Sequence, residues 1–358
     1  MTLVLSNEDV ESLLTMPECI AALESAYREL HAGDAVTRRR SDCMTSTGRD
    51  DGSVYGFKTM DGVVPGLGFS AVRLNSDIVT WPKVGNNRRR VKVPSAPGGR
   101  YVGLILLFST ANGEPLAMMP DGMVQRMRVG ATNGLGAKCM AREDASDIGI
   151  LGSGFQAVSQ LQAICAVRKV KRIRCFSPSP ENRTRFAAEM SEQLGVEVVP
   201  VSSTEDAIGG ADVVMCSTNS IEAIFFQQWM EPGMHVSSIK MPEIDEAALK
   251  RADRVGLHFG HQSPDVVAAR GVEAEDHRPG LGWQASRGFD FSKSPKLPEM
   301  LAGAAMGRKN DDEITCFIND LGLGLQFAAV AGVAWRKAKD AGVGHELPTD
   351  WFTETVHP

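Results

Sequence analysis

Between residues 147 and 259 short apolar runs and amphipathic stretches take turns, and that alternation most restricts what the chain can become. Asp147 to Leu151 reads as a strand and Gln156 to Val167 as a helix; Arg172 to Phe176 and Pro180 to Gly195 repeat the pair. Val196 to Val201, Thr204 to Gly210 and Val213 to Ser217 continue it, and His235 to Ile239 and Arg254 to Phe259 add further strands. Strands separated by helices through short loops predict a parallel, doubly wound α/β sheet. The first strand runs into Gly152-Ser153-Gly154-Phe155-Gln156-Ala157, a G-x-G-x-x-A turn directly before a helix. Gly152 permits a tight turn, Gly154 lets backbone approach a pyrophosphate, and Ala157 keeps helix and strand close. The helix N-terminus offers unpaired N–H groups and the positive end of its dipole. The expected ligand is a dinucleotide.

The end of the second strand bears on which dinucleotide. An NAD site usually presents an acid there to the ribose hydroxyls. This chain reads Cys175-Phe176-Ser177-Pro178-Ser179, with Arg183 four residues on. Ser177, Ser179 and Arg183 are suited to a 2′-phosphate, so the expectation leans to NADP with NAD as the alternative; the same residues could simply build a turn and a helix cap. Thr218-Asn219-Ser220 follows the fourth strand, at the carboxyl edge where cofactors lie, and is a candidate ribose or nicotinamide contact.

Ahead of this region, Asn7 can cap a helix through Tyr27 that stops at Gly33, followed by Arg38-Arg39-Arg40. Val54 to Lys58, Gly68 to Leu74, Tyr101 to Phe108 and Pro115 to Met119 read as strands, with Asn112-Gly113 a hairpin signal. Pro82 to Arg100 looks like an exposed insertion. Val124 to Arg142 and Gly324 to Ala341 read as helices. The expected architecture is a Rossmann-type doubly wound parallel sheet plus a separate α+β domain.

Charge and cysteine usage exclude several classes. With 38 Lys and Arg against 44 Asp and Glu, the formal charge of −6 argues against nucleic-acid binding, and Arg38–Arg40 and Arg88–Arg90 have no aromatic neighbours to stack bases. The longest apolar stretch is too short to span a bilayer, so no membrane partner is expected. The seven cysteines are scattered and never spaced as CxxC, and no export signal opens the chain, which points to a reduced, cytoplasmic protein. His258 and His261 lack companions of metal-ligand type, so no metal site is expected.

Several landmarks together resemble the ornithine cyclodeaminase/mu-crystallin family. They are Tyr55-Gly56-Phe57-Lys58, Asp121-Gly122, Arg126-Met127-Arg128-Val129-Gly130-Ala131-Thr132, the Gly152 turn, Glu243-Ile244-Asp245, Gly307-Arg308 and Asp312-Glu313-Ile314-Thr315. The resemblance implies a substrate-binding and dimerisation domain from 1–125 plus 320–358, an NAD(P)-binding domain over 126–319, and a homodimer. It also implies a lysine and an arginine that hold an amino-acid carboxylate, here Lys58 and Arg128, with Arg40 or its neighbour Arg39 as a third cation. Guanidinium supplies the bidentate contact a carboxylate needs, and a second cation fixes its orientation.

The chain departs from the cyclodeaminase pattern at the turn Ser237 to Asp245, which is shorter, lacks the substrate-holding aspartate that cyclodeaminases carry in the equivalent turn and offers Lys240, and at Gln326, where the family often has an acid. A cation there is poorly placed to receive an ornithine ammonium. Lys240 is instead a candidate to hold a second carboxylate or to donate a proton. The leading expectation is an NAD(P)(H)-dependent enzyme interconverting an α-imino or α-keto acid and its amino acid. Alternatives are a cyclodeaminase that closes a diamino acid with loss of ammonia, and a nucleotide-binding protein without catalysis.

Overall fold

The computed structural model describes residues 1–84, 87–88, 91–94, 96–220, 222–260, 264–272 and 288–356. Arg89, Arg90 and His261, singled out above, lie outside the described residues. The described residues form two compact units, one from 1–128, 264–272 and 322–356 and the other from 129–260 and 288–321.

The second unit holds seven strands in the order Val198–Pro200, Arg172–Phe176, Asp147–Leu151, Val213–Cys216, His235–Ser238, Thr315–Ile318 and Arg254–Leu257. Every adjacent pair is parallel. Near-continuous apolar strands make this arrangement possible, because both faces are covered. Ile148, Ile150, Ile173, Val213 and Met215 are buried with Leu161 and Ile164 of the Phe155–Val167 helix. The register sets Leu151 opposite both Phe176 and Cys216, so three strand ends meet at one carboxyl edge. Thr315–Ile318 is a strand the sequence reading does not supply. It enters between His235–Ser238 and Arg254–Leu257, which are therefore not neighbours.

In the middle of that sheet His235 is fully buried. Its Nδ1 lies 2.8 Å from Thr315 Oγ1, and the Thr315 hydroxyl donates to Met140 O at 2.9 Å. Nδ1 therefore carries the proton, and Nε2 has no hydrogen-bond partner. Burial, reinforced by the Arg308 and Arg168 guanidiniums, pulls His235 down to about 3. The unfolded chain takes up this proton near 6.5 and the folded one does not, so stability is lost as pH falls from 6.5 toward 3. Between pH 7 and pH 5 this one group is expected to remove about 2 kcal/mol. Urea midpoints at the two values should differ correspondingly less in His235→Gln.

The first unit is built on a mostly antiparallel sheet. Its order is Asp265–Ala268, Ser41–Ser46, Val54–Val64, Phe69–Thr80, Val102–Ser109, Pro115–Pro120, Thr2–Val4 and His345–Leu347. Two helices, Asn7–Leu13 and Met16–Ala32, replace the single one expected at the N-terminus, and Ser6 rather than Asn7 is the cap, reciprocated by Asp9. Asp265–Ala268 pairs in parallel with Ser41–Ser46. The sequence reading keeps 126–319 in one domain; instead this strand belongs to the first unit, a pairing that no local pattern announces.

Strand alternation gives the sheet two chemically different faces. Phe57, Val72, Leu74, Leu104, Leu106 and Phe108 share the outer face and remain partly exposed. The inner face is buried and unexpectedly polar. Asp42, Lys58 and Asn75 stand in one cross-strand row, with Arg73 and Asp77 in the rows beside it.

Candidate active site

The dinucleotide turn folds as its residues require. Gly152 has φ +115, and a Cβ there would collide with the Ser217 carbonyl, so only glycine fits. Gly152 N–H donates to Phe176 O and Ser217 N–H to Leu151 O, each at 2.8 Å, which locks the turn to the strands on either side. Gly154 is the N-cap of the Phe155–Val167 helix, with no side-chain cap and nothing within 4 Å of where its Cβ would stand. Ala157 is fully buried against the strand. Open N–H groups, absent side chains and a full-length helix fit a dinucleotide pyrophosphate. Phe155 is exposed at the first helical position, and the Gln156 side-chain oxygen is buried without a hydrogen-bond partner.

The serines and the arginine after the second strand gather beside this turn. Ser153 Oγ donates to Ser177 Oγ at 2.8 Å, and Arg183 Nη1 donates to Ser177 O at 2.9 Å. The Arg183 guanidinium lies 5.8 Å from the Phe176 ring centre. Ser179 caps the Pro180–Leu194 helix by accepting from Asn182 N at 3.2 Å, and its hydroxyl proton remains a donor.

A third element of this unit was only half visible in the sequence. Thr218 and Ser220 form a tight turn, Ser220 N–H donating to Thr218 Oγ1 at 3.2 Å, with Asn219 exposed. Glu243, fully buried, accepts from Thr218 N at 2.6 Å, Thr218 Oγ1 at 2.8 Å and Ile239 N at 3.1 Å. Burial pushes its carboxyl above the usual range, against Lys240 and these hydrogen bonds. Glu243 thus ties the Thr218 loop to the turn bearing Lys240, which opens the short helix Met241–Glu243. These three bonds take up most of the roughly four hydrogen bonds a carboxylate can accept.

The first unit holds the expected cations on the inner sheet face. Lys58 is 3% exposed and its Nζ lies 3.8 Å from Asp77 Oδ2. Arg40 binds Asp42 side-on, Nε to Oδ1 at 2.8 Å and Nη2 to Oδ2 at 2.7 Å, and Asp42 stands opposite Lys58 in the register. Arg39 turns elsewhere, to Asp265 at 3.4 Å. Arg128 is buried from the Gly122–Met140 helix, donating to Gln125 Oε1 at 3.2 Å and Gln326 Oε1 at 3.1 Å. Gln326 is itself fixed, accepting from Leu323 N at 2.9 Å and donating to Tyr27 Oη at 2.8 Å. Phe327 joins Arg128 to Arg73, each guanidinium 5.3 Å from its ring centre. Burial, with Arg73 adding repulsion, pulls Arg128 down to about 9, so it is still protonated at neutral pH. Arg40, Lys58 and Arg128 therefore share one unit with Arg73 and Asp121, which pair at 2.6 Å.

The ornithine cyclodeaminase/mu-crystallin family model matches residues 1–341. The chain belongs to that family. Among its relatives is a Δ(1)-pyrroline-2-carboxylate reductase of Bacillus cereus, 25% identical over 351 residues, covering 96% of this chain and 99% of the relative. A solved structure of the Thermococcus litoralis Δ(1)-pyrroline-2-carboxylate reductase with NADH and L-proline is similar at TM-score 0.76 and 25% identity, over 97% of this chain and all of that one. An archaeal alanine dehydrogenase dimer with bound NAD is similar at TM-score 0.76 and 25% identity, over 97% and 99% of the two chains. In this member of the family, among the described residues, no group of three His, Cys, Asp or Glu is arranged to hold a metal, and no helix is long and apolar enough to cross a membrane.

Proposed function

We propose that the protein is an NAD(P)(H)-dependent imino-acid reductase or amino-acid dehydrogenase. The observation that carries this reading is a pair of buried cations, Lys58 and Arg128, in a chain that also carries the dinucleotide turn. A guanidinium meets a carboxylate side-on and an ammonium meets it as a point charge, so this pair of cations suits a substrate carboxylate. Gly152, Ser153, Gly154, Phe155 and Gln156 would hold the pyrophosphate, and Thr218, Asn219 and Ser220 the nicotinamide end. When bound, the nicotinamide supplies or accepts the hydride at the substrate α-carbon. Arg128 and Lys58 bind the carboxylate, with Arg40 orienting the set through Asp42. Their charge also stabilises the negative charge that builds in the α-imino acid as it is reduced. The Lys58 ammonium hands a proton to the imine nitrogen, and Lys240 is the second candidate donor.

NADP is the preferred cofactor in this reading; what supports it is that Ser153, Ser177 and Arg183 gather beside the dinucleotide turn, two hydroxyls and a cation of the kind a 2′-phosphate needs. The enzyme works as a homodimer through the apolar outer face of the first unit's sheet, a patch of the kind that marks protein contacts; the related archaeal alanine dehydrogenase is a dimer. A reducing, cytoplasmic setting suits the buried thiols Cys19, Cys175, Cys216 and Cys316.

Fluorescence titration with NADH and NADPH, then an absorbance screen with Δ1-pyrroline-2-carboxylate and with pyruvate plus ammonia, tests the reading. Turnover of an imino acid with loss of nicotinamide absorbance is the expected result. Ammonia release from ornithine with no net absorbance change would overturn it. Arg183→Ala is expected to weaken NADPH about 10- to 100-fold, the value of a charge-assisted hydrogen bond, while NADH changes less than about twofold.

A further inference from the structure

Lys58 is not held where its own strand position would put it. In the register it stands opposite Asn75, while Asp77 stands opposite Gly56. Gly56 leaves that place vacant, and the Lys58 stem folds back into it: Cε lies 3.2 Å, and Nζ 4.0 Å, from the point a Gly56 Cβ would occupy. The fold-back brings Nζ to 3.8 Å from Asp77 Oδ2. The same oxygen meets a second cation, Lys92 Nζ at 2.9 Å, from the strand Val91–Val93. Asp77 is 2% exposed as a side chain and Lys92 38%, so the carboxylate lies between a buried amine and one at the surface.

We propose that Asp77 is a positioning residue, shared between Lys58 and Lys92, that fixes both the direction and the charge of the Lys58 ammonium. A buried carboxylate a few ångströms from an amine favours its protonated form, and a neighbouring ammonium disfavours it. Lys92 therefore weakens the hold of Asp77 on Lys58, and this is what keeps the Lys58 proton transferable. Among the described residues, the other charged groups of this face are Arg40 with Asp42, Arg73 with Asp121, and Arg128; the variants below leave all of them in place.

This inference rests on the proposed role of Lys58, and its test separates the two. The protein labelled with [ε-13C]lysine is titrated by NMR, the Lys58 signal being identified by its loss in Lys58→Met. Asp77→Asn is expected to lower the Lys58 midpoint by about one pH unit or more, and Asp77→Glu to restore part of the shift. Lys92→Met is expected to raise the midpoint. Opposite shifts are not produced by a general loosening of the fold, and Lys92→Met decides the matter if Asp77→Asn fails to fold. Unchanged midpoints, or shifts of the same sign, overturn the proposal. Normal turnover by Lys58→Met would remove Lys58 from the chemistry while leaving the titration result to stand or fall alone.

Discussion

Lys58→Ala is expected to lower kcat by about 100- to 10,000-fold with the imino acid that the wild-type enzyme turns over, the usual range for losing a positioned proton donor. The carboxylate contact goes with it, so KM rises as well. The variant should nevertheless fold, because each neighbouring carboxylate keeps a cation: Asp77 retains Lys92 and Asp42 retains Arg40. NADH affinity should be unchanged, since every residue assigned to the cofactor lies in the other unit. Lys58→Arg is expected to recover little, as a planar guanidinium that stays protonated does not reproduce the folded-back stem and transferable proton of the lysine ammonium. Initial rates followed at the nicotinamide band check the kcat, the KM and the poor recovery by arginine, and parallel fluorescence titrations check the NADH affinity and with it the fold. Retention of more than about a tenth of wild-type kcat in Lys58→Ala would remove this residue from proton transfer.

A comparable loss is expected on the cofactor side from Gly152→Ala. Its backbone sits at φ +115, and the added methyl would lie 2.8 Å from the Ser217 carbonyl carbon and nearer still to its oxygen. The turn must open, at a cost of about 2–3 kcal/mol, which alone is roughly 100-fold in NADH affinity. Thermal stability should fall too, because the Gly152 and Ser217 hydrogen bonds that pin the turn are disturbed together. Gly154→Ala is the control. Nothing lies within 4 Å of its would-be methyl and its φ is −91, so the fold should tolerate it while the pyrophosphate does not. If Gly154→Ala binds NADH as tightly as the wild type, the phosphates do not rest on this turn.

The second unit was the more legible in sequence, for a physical reason. Parallel strands buried on both faces are continuous apolar runs, and Asp147–Leu151 and Val213–Cys216 appear where those runs fall. Thr315–Ile318 escaped because it follows an irregular stretch rather than a helix and is only four residues long. In the first unit the strands were visible, yet the chemistry of their inner face was not. Lys58 and Arg128 stood out through resemblance, whereas Asp77 and Lys92 are 15 residues apart in sequence and meet only through sheet pairing. Asp42 was likewise silent until the register set it opposite Lys58. Glu243 could be seen as a carboxylate but not as a brace, because its partners come from 4 and 25 residues away. Short-range pattern reports periodicity well and reports partners across a sheet hardly at all.

The Gly324–Ala341 helix and the strand His345–Leu347 belong to the unit that also contains residue 1. During synthesis, the part of the protein begun first must therefore wait for the last segment to leave the ribosome, while the part begun second can close as soon as residue 321 is out. No single cut of the polypeptide yields either unit whole, so a fragment ending near residue 125 would lack the helix that supplies Gln326 and Phe327 to Arg128.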